Sequence, residues 1–175
     1  MAGSTRSADH RRASWEAALS GMLGAVIFAL KMAMAQLPNI EPVSLAVMLL
    51  AVCAGWRGLY AVYIYVLLEI AVWGPGLWSA PYLYIWLVLF AAARALRNME
   101  SVLGWAALSG CFGLLFGALC APVYWAAGGW QHALSWWLAG IPMDLLHGAG
   151  NFALALALFR PVKRSFTVLL DRFKR

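Results

Sequence analysis

Three side chains that can form hydrogen bonds or exchange protons recur on one face of a predicted helix near the C-terminal end of the chain. They are Asp144, His147 and Asn151, spaced i, i+3 and i+7. At about 100° per residue, this spacing gathers them within about 60° of arc in an otherwise apolar stretch. An ionisable group inside a bilayer costs about 2.5 to 3.5 kcal/mol, so the pattern indicates a function for this face.

Two further predicted helices carry polar and aromatic side chains on a single stripe. Tyr65, Glu69 and Trp73 follow one another at i, i+4 and i+8, which places an acid between two aromatic rings. Tyr82 and Trp86 repeat the four-residue spacing at the start of the next helix. Both stripes lie in stretches that are otherwise apolar, so they predict neighbours that accommodate polar atoms.

A segment with two prolines follows the first apolar stretch and adds more polar groups. Lys31 lies near the end of that stretch, and Asn39 and Glu41 lie in Gln36–Pro42. A water-accessible chamber lined by aromatic rings and a few convergent polar groups is typical of a small-molecule site. The predicted binding residues are Lys31, Asn39, Glu41, Glu69, Trp73, Tyr82, Trp86, Asp144, His147 and Asn151.

The polar groups of this set have expected roles. The acids Glu69 and Asp144 would accept hydrogen bonds or balance a cation, and the two tryptophans would stack on a ring of the ligand. Asn39 and Glu41 would close the chamber from above. The alternative is that the groups only satisfy one another, with Lys31 paired to Glu69 or Asp144 and the remaining polar groups bridging helices.

No signature of soluble-enzyme chemistry is present. The sequence has no Walker A, HExxH or GxSxG pattern, so it predicts neither ATP binding by that route nor hydrolytic catalysis. His147 with Asp144 could hold a metal or move a proton, but no second histidine stands at ligand spacing. The cysteines Cys53, Cys111 and Cys120 lie in apolar stretches without CxxC pairing. We therefore expect a protein that is not an enzyme, with no metal and no cofactor.

The composition predicts an all-α, polytopic membrane protein. Hydrophobic residues make up 64% of the 175 residues and charged residues 11%, against roughly 45 to 50% and about 25% in soluble domains. At about 20 residues per span, the chain accommodates at most six or seven transmembrane helices. We expect six, over about Ser14–Ala35, Val43–Ala54, Leu59–Val72, Tyr82–Leu96, Val102–Ala121 and Ala139–Phe159.

The breaks between these helices divide the chain and orient it. Residues 1–13 are expected to form a disordered basic tail, 14–159 the membrane domain, and 160–175 a basic amphipathic cytoplasmic helix. The aromatic connection 122–138 could include a short interfacial helix over Gln131–Trp137. All basic residues except Lys31 fall in the two tails, the helix 2 to 3 turn or the end of helix 4, which predicts cytoplasmic N- and C-termini. Membrane orientation explains the net charge of +6 better than a nucleic-acid partner does.

The first helix has two further patterns. Ala17, Gly21, Ala25, Ala29 and Ala33 recur every four residues and form a smooth groove that another backbone can approach. This groove serves either packing within the monomer or docking of another chain. A competing interpretation of this region is a cleavable signal peptide, because residues 33–35 have a small-x-small form after an apolar run.

Two motifs resemble the substrate-binding S components of energy-coupling factor (ECF) transporters, the vitamin-uptake ABC importers. They are Leu37-Pro-Asn-Ile-Glu-Pro-Val-Ser44 after an alanine-striped first helix, and Asp144-Leu-Leu-His-Gly-Ala-Gly-Asn151 in the last helix. With the six-helix plan, the similarity covers most of the chain.

The resemblance implies a location, partners and a ligand. It implies a multi-pass protein of a prokaryotic plasma membrane that binds a vitamin or related micronutrient at the extracellular side, with Gln36–Pro42 as a lid. It also implies docking through Ala25, Ala29 and Ala33 onto a transmembrane coupling subunit that two cytoplasmic ATPases drive. The cobalt and nickel members carry a histidine at position 2, where this chain has Ala2. Flavin, pterin, thiamine-like, pyridoxine-like and corrinoid ligands all stay open.

Two other functions are compatible with the residues. A stand-alone, proton-coupled secondary transporter could use Glu69, Asp144 and His147 as a relay. A structural membrane protein without a ligand could use the same polar groups only to lock its helices together.

Overall fold

Helices are the only regular elements in the part of the chain that the computed structural model describes, residues 2–36 and 40–173. They are α1 (Ala2–Ala33), α2 (Val43–Cys53), a short 3-10 turn (Gly55–Arg57), α3 (Gly58–Trp73), α4 (Ser79–Ala95), α5 (Val102–Leu114) and α6 (Phe116–Phe173). Within this described part, three stretches are long and apolar enough to cross a membrane: Ala13–Ala33, Gly55–Trp73 and Val102–Leu170. The fold is thus all-helical and compatible with a membrane protein.

The first helix starts earlier than its sequence suggests. The sequence predicts a helix start at Ser14, whereas α1 begins at Ala2. The Ser14 hydroxyl donates to the carbonyl oxygen of His10 (3.0 Å), one turn earlier, so Ser14 lies inside the helix rather than at its N-cap. The backbone of residues 2–13, expected as a disordered tail, is therefore helical; the division of the chain into two tails and a membrane domain stays a prediction.

The middle helices follow the sequence closely. The predicted ends of helices 2, 3 and 4 lie within three residues of those of α2, α3 and α4. The reason is local: prolines and glycines lie at most of these helix ends, including Gly74, which ends α3 with a φ of 77°. The end of α4 is instead followed by the polar stretch 97–101. α2 is only 11 residues long, and most of its side chains are buried among the other helices. Burial on all sides explains why its sequence is apolar all round.

The expected irregular connection between helices 5 and 6 is wrong. The chain is helical through residues 122–138 except at Gly129, whose φ of 79° and ψ of 179° reverse its direction. Glycine suits this conformation because it has no Cβ. α5, Leu115 and the start of α6 thus form one arm, residues 102–128, and residues 130–173 form a second arm. The second arm begins well before Ala139 and continues past Phe159 through the tail, where a basic helix was predicted.

The two arms pack as an antiparallel hairpin with close backbone approach. Trp105 and Phe159 stack with ring centroids 4.5 Å apart. A Cβ at Gly113 would lie 2.7 Å from the backbone nitrogen of Gly148, so only glycine fits there. α1 packs on α3 with similar closeness, because a Cβ at Gly24 would lie 2.8 Å from the carbonyl oxygen of Ala61. Small residues therefore set the helix spacing.

The bundle has two chemically different ends. At one end, which we call the basic end, Arg57 pairs with Glu16, and Thr167 in the tail lies 3.8 Å (Oγ1 to Sγ) from Cys53. At the other, which we call the aromatic end, the C-terminal turns of α1 and α3 meet the start of α4 and the middle of the hairpin. The sequence-predicted binding residues that the structure describes lie at or toward the aromatic end.

Candidate functional site

Lys31 and Glu69 form an ion pair between α1 and α3. The Lys31 Nζ lies 2.7 Å from the Glu69 Oε2, and the two side chains are 18% and 2% exposed. Of the two acids considered for Lys31, the structure therefore selects Glu69. Taking both charges out of water is costly, so the pair needs further polar or aromatic neighbours to be stable.

Two tyrosine rings supply those neighbours. The Lys31 Nζ lies 5.5 Å from the centroid of the Tyr82 ring and 5.9 Å from that of Tyr65, within the range of cation–π attraction. Tyr65 and Glu69 stand one turn apart on α3, so they face Lys31 together. We call Glu69, Tyr65 and Tyr82 the Lys31 cage.

Glu41, in the segment before α2, acts on the same pair. Burial raises the pKa of the Glu41 carboxyl, the Lys31 ammonium lowers it and the Glu69 carboxylate raises it. Glu41 is thus electrostatically linked to both members of the ion pair. Glu41 is one residue of the expected lid. Asn39, the other lid residue predicted to bind, lies outside the described residues.

An aromatic cluster connects the cage to the hairpin. Its members are Tyr82, Trp86, Phe112 and Phe116 from α4 and the first arm. Tyr82 and Trp86 meet edge to face at 5.5 Å, and Phe116 meets the His147 ring at 4.8 Å. The polar groups of α1, α3 and α6 therefore border one aromatic region.

The polar face of α6 divides into bonded and unbonded groups. Both oxygens of Asp144 accept from the backbone nitrogen of Gly117 at 3.1 and 3.2 Å. Gly117 lies in the first turn of α6, where backbone N–H groups lack a helical partner. The Asn151 amide donates to the Ser44 hydroxyl at 2.9 Å, which ties α6 to α2. These two residues hold helices together, as the alternative interpretation of the sequence expects.

Four buried polar atoms beside the aromatic cluster have no hydrogen-bond partner among the described residues. They are Tyr65 Oη, Glu69 Oε1, Trp86 Nε1 and His147 Nε2. All four side chains are at least nine-tenths buried. Leaving a buried donor or acceptor unpaired costs about 1 to 3 kcal/mol, so such atoms indicate bound water or a ligand. These atoms come from α3, α4 and α6.

One predicted site residue lies away from the site, and two residues of the site are missing from the predicted set. Trp73 is 59% exposed at the end of α3, so the structure does not bring it to the cage with Tyr65 and Glu69. The aromatic packing depends instead on Phe112 and Phe116, which the predicted set omits. Their i, i+4 spacing on an apolar helix was the available signal, and it is indistinguishable from ordinary core packing.

The proposed docking alanines lie on an open face. Ala25, Ala29 and Ala33 are exposed, whereas Gly24 and Ile27 are the buried residues of this part of α1. Packing of α1 within the monomer therefore uses a neighbouring face and not the alanine stripe.

Among the described residues, no three His, Cys, Asp or Glu side chains gather closely enough to hold a metal ion. Comparison of the chain with family models, curated proteins and solved structures finds no match. The function is therefore inferred from the geometry of the aromatic end and from the resemblance of the two motifs.

Proposed function

We propose that the protein is the substrate-binding S component of an ECF-type importer in a prokaryotic plasma membrane. It captures a vitamin or related micronutrient at the extracellular side for ATP-driven uptake. The observation that carries the proposal is the set of unpartnered polar atoms on Tyr65, Glu69, Trp86 and His147 around one aromatic cluster. A ring-shaped ligand with polar edges would satisfy those atoms and stack on the rings.

The arrangement of helices supports six membrane crossings. α1 to α4 supply four, and the two arms of the hairpin supply the fifth and sixth. The first arm is about 40 Å long and exceeds the hydrocarbon core of about 30 Å. α2 is about 17 Å long at 11 residues, so its neighbours shield its ends. With the basic end in the cytoplasm, the aromatic end and its polar groups face the outside.

The exposed alanine face supports a partner in the membrane. Ala25, Ala29 and Ala33 present small side chains that a helix of a transmembrane coupling subunit could approach closely. Two cytoplasmic ATPases would drive that subunit, since the chain has no phosphate-binding loop of its own. The other exposed apolar side chains of α1, such as Met22, Val26 and Leu30, would face lipid.

Mass spectrometry of the small molecule that copurifies with the protein in detergent tests the proposal. We expect the wild type to retain one organic molecule, and Tyr65→Phe to retain about 3- to 10-fold less because it loses one buried hydrogen bond. Tyr63→Phe is the matched control. Its hydroxyl donates to the Leu83 carbonyl at 2.9 Å on an exposed surface, away from the cage, so retention should equal that of the wild type.

A structural protein without a ligand is the second candidate. The bonds of Asp144 to Gly117 and of Asn151 to Ser44 favour it, since both fix helices to one another. Absence of any bound molecule in wild-type protein extracted from cells, across several growth media, would support this function and contradict ours. Uptake by the lone chain in liposomes under a proton gradient would instead identify a stand-alone transporter.

A further inference from the structure

The position that a ligand cation would occupy at the aromatic end is already filled by a side chain of the protein. Two tyrosine faces beside a carboxylate make a site that suits an ammonium group. Lys31 places its Nζ 5.5 and 5.9 Å from the two ring centroids and 2.7 Å from Glu69. The lysine is thus an internal cation in an aromatic cage.

Lys31 offsets part of the negative charge around the cage, where one ammonium faces the carboxyl groups of Glu69 and Glu41. Its ammonium neutralises Glu69 and also interacts with Glu41. Asp144 is held by the Gly117 backbone on the far side of the aromatic cluster. A cationic ligand would meet Lys31 first, and like charges in a buried region repel strongly.

We propose that Lys31 is the specificity-determining residue that restricts the site to uncharged ring compounds. The unpartnered atoms define which hydrogen-bonding groups such a compound must carry. Trp86 Nε1 only donates and an ionised Glu69 Oε1 only accepts, so the ligand offers both an acceptor and a donor. Tyr65 and His147 can do either. This inference rests on the proposed function, and it narrows the ligand to neutral heterocycles or amides with both groups.

Removing the lysine should turn the cage into a cation site. Lys31→Ala leaves two tyrosine faces, Glu69 and Glu41 without a positive charge and opens room for a small ammonium. The probe is radiolabelled tetramethylammonium, measured by equilibrium dialysis against purified protein in detergent. We expect Lys31→Ala to bind it at least about 10-fold more tightly than the wild type.

Three matched variants separate the cage from general charge effects. Lys31→Arg keeps the positive charge and should bind no more probe than the wild type. Lys163→Ala removes one positive charge from the tail and should also behave as the wild type. Lys31→Ala/Glu69→Gln removes the buried acid as well, so it should fold more stably than Lys31→Ala and bind less probe than that variant.

A measurement on unaltered protein keeps the inference testable if Lys31→Ala does not fold. The molecule that copurifies with the wild type should carry no fixed positive charge. A copurifying cation would overturn the inference, as would tetramethylammonium binding to the wild type as tightly as to Lys31→Ala. A folded Lys31→Ala that gains no affinity, beside a wild type that retains a neutral molecule, would overturn the role of Lys31 and leave the proposed function standing. Gained affinity in a protein that never retains a molecule would support the cage and contradict the proposed function.

Discussion

Two ion pairs connect α1 to the segment formed by the 3-10 turn and α3, one at each end of the bundle. They differ in solvent exposure and in their aromatic neighbours. Arg57 and Glu16 at the basic end are 62% and 41% exposed. Lys31 and Glu69 at the aromatic end are 18% and 2% exposed, and two aromatic rings flank them. Exposed pairs contribute about 0 to 1 kcal/mol, whereas loss of one member of a buried pair costs about 3 to 5 kcal/mol. Two ion pairs of similar chemistry therefore differ in expected energy because one is exposed and the other is buried.

Removing the buried cation should have the largest effect on stability. We expect Lys31→Met to lower the free energy of unfolding by about 3 kcal/mol, because Glu69 is then buried without a counter-charge. Thermal unfolding in detergent measures this loss. The double variant Lys31→Met/Glu69→Gln should recover most of it, and equal stability of Lys31→Met and the wild type would contradict the contrast between the two pairs.

α1 and α3 pack closely between the two ion pairs, and a substitution at this contact should have an intermediate effect on stability. A methyl group at Gly24 would lie 2.7 Å from the side chain of Ile64 and 2.8 Å from the Ala61 carbonyl oxygen. Gly24→Ala should therefore push the helices apart and cost about 1 to 3 kcal/mol. Gly21→Ala is the control on the same helix, where a Cβ meets nothing within 4 Å. It should stabilise the protein by up to about 1 kcal/mol through helix propensity. Equal effects of the two substitutions in thermal unfolding would argue against the close packing.

Breaking the exposed pair should have the smallest effect. Arg57→Met is expected to change the free energy of unfolding by less than about 1 kcal/mol, because water and ions already screen this pair. Raising the salt concentration should remove any difference in the free energy of unfolding between Arg57→Met and the wild type. The loss of stability in Lys31→Met should stay nearly unchanged. A salt-sensitive loss in Lys31→Met would show that its pair is open to solvent.

Local sequence signals explain how much of the fold was predictable. The ends of α2, α3 and α4 follow from prolines, glycines, the polar stretch after α4 and the apolar stretches between them. The start of α1 did not follow, because Ser14 has the residue type of an N-cap but bonds back to His10 inside a helix. The prediction of an irregular connection around Gly129 was also wrong. A stretch rich in glycine and aromatic residues is typical of a loop when its packing partners are unknown. Tyr124 in fact stacks on Trp136 across the reversal, at 3.8 Å.

The site was predictable as a set of residue types but not as a geometry. Helical periodicity placed Asp144, His147 and Asn151 on one face, yet it could not show that Asp144 is bonded to Gly117 while His147 Nε2 and Asn151 Oδ1 have no partner among the described residues. Periodicity likewise joined Trp73 to Glu69, although the end of α3 leaves that ring exposed. The choice of Glu69 over Asp144 as the partner of Lys31 depends on helix packing, which a single sequence does not encode locally.

The second arm of the hairpin gives the molecule a stiff lever. His147, beside the aromatic cluster, and Thr167, beside Cys53 at the basic end of the bundle, belong to one helix and lie about 30 Å apart along its axis. A rotation of this rod by about 10° about His147 would displace Thr167 by about 5 Å. The rod thus connects the two ends of the bundle, with Pro161 as the one proline between His147 and Thr167 where it could bend.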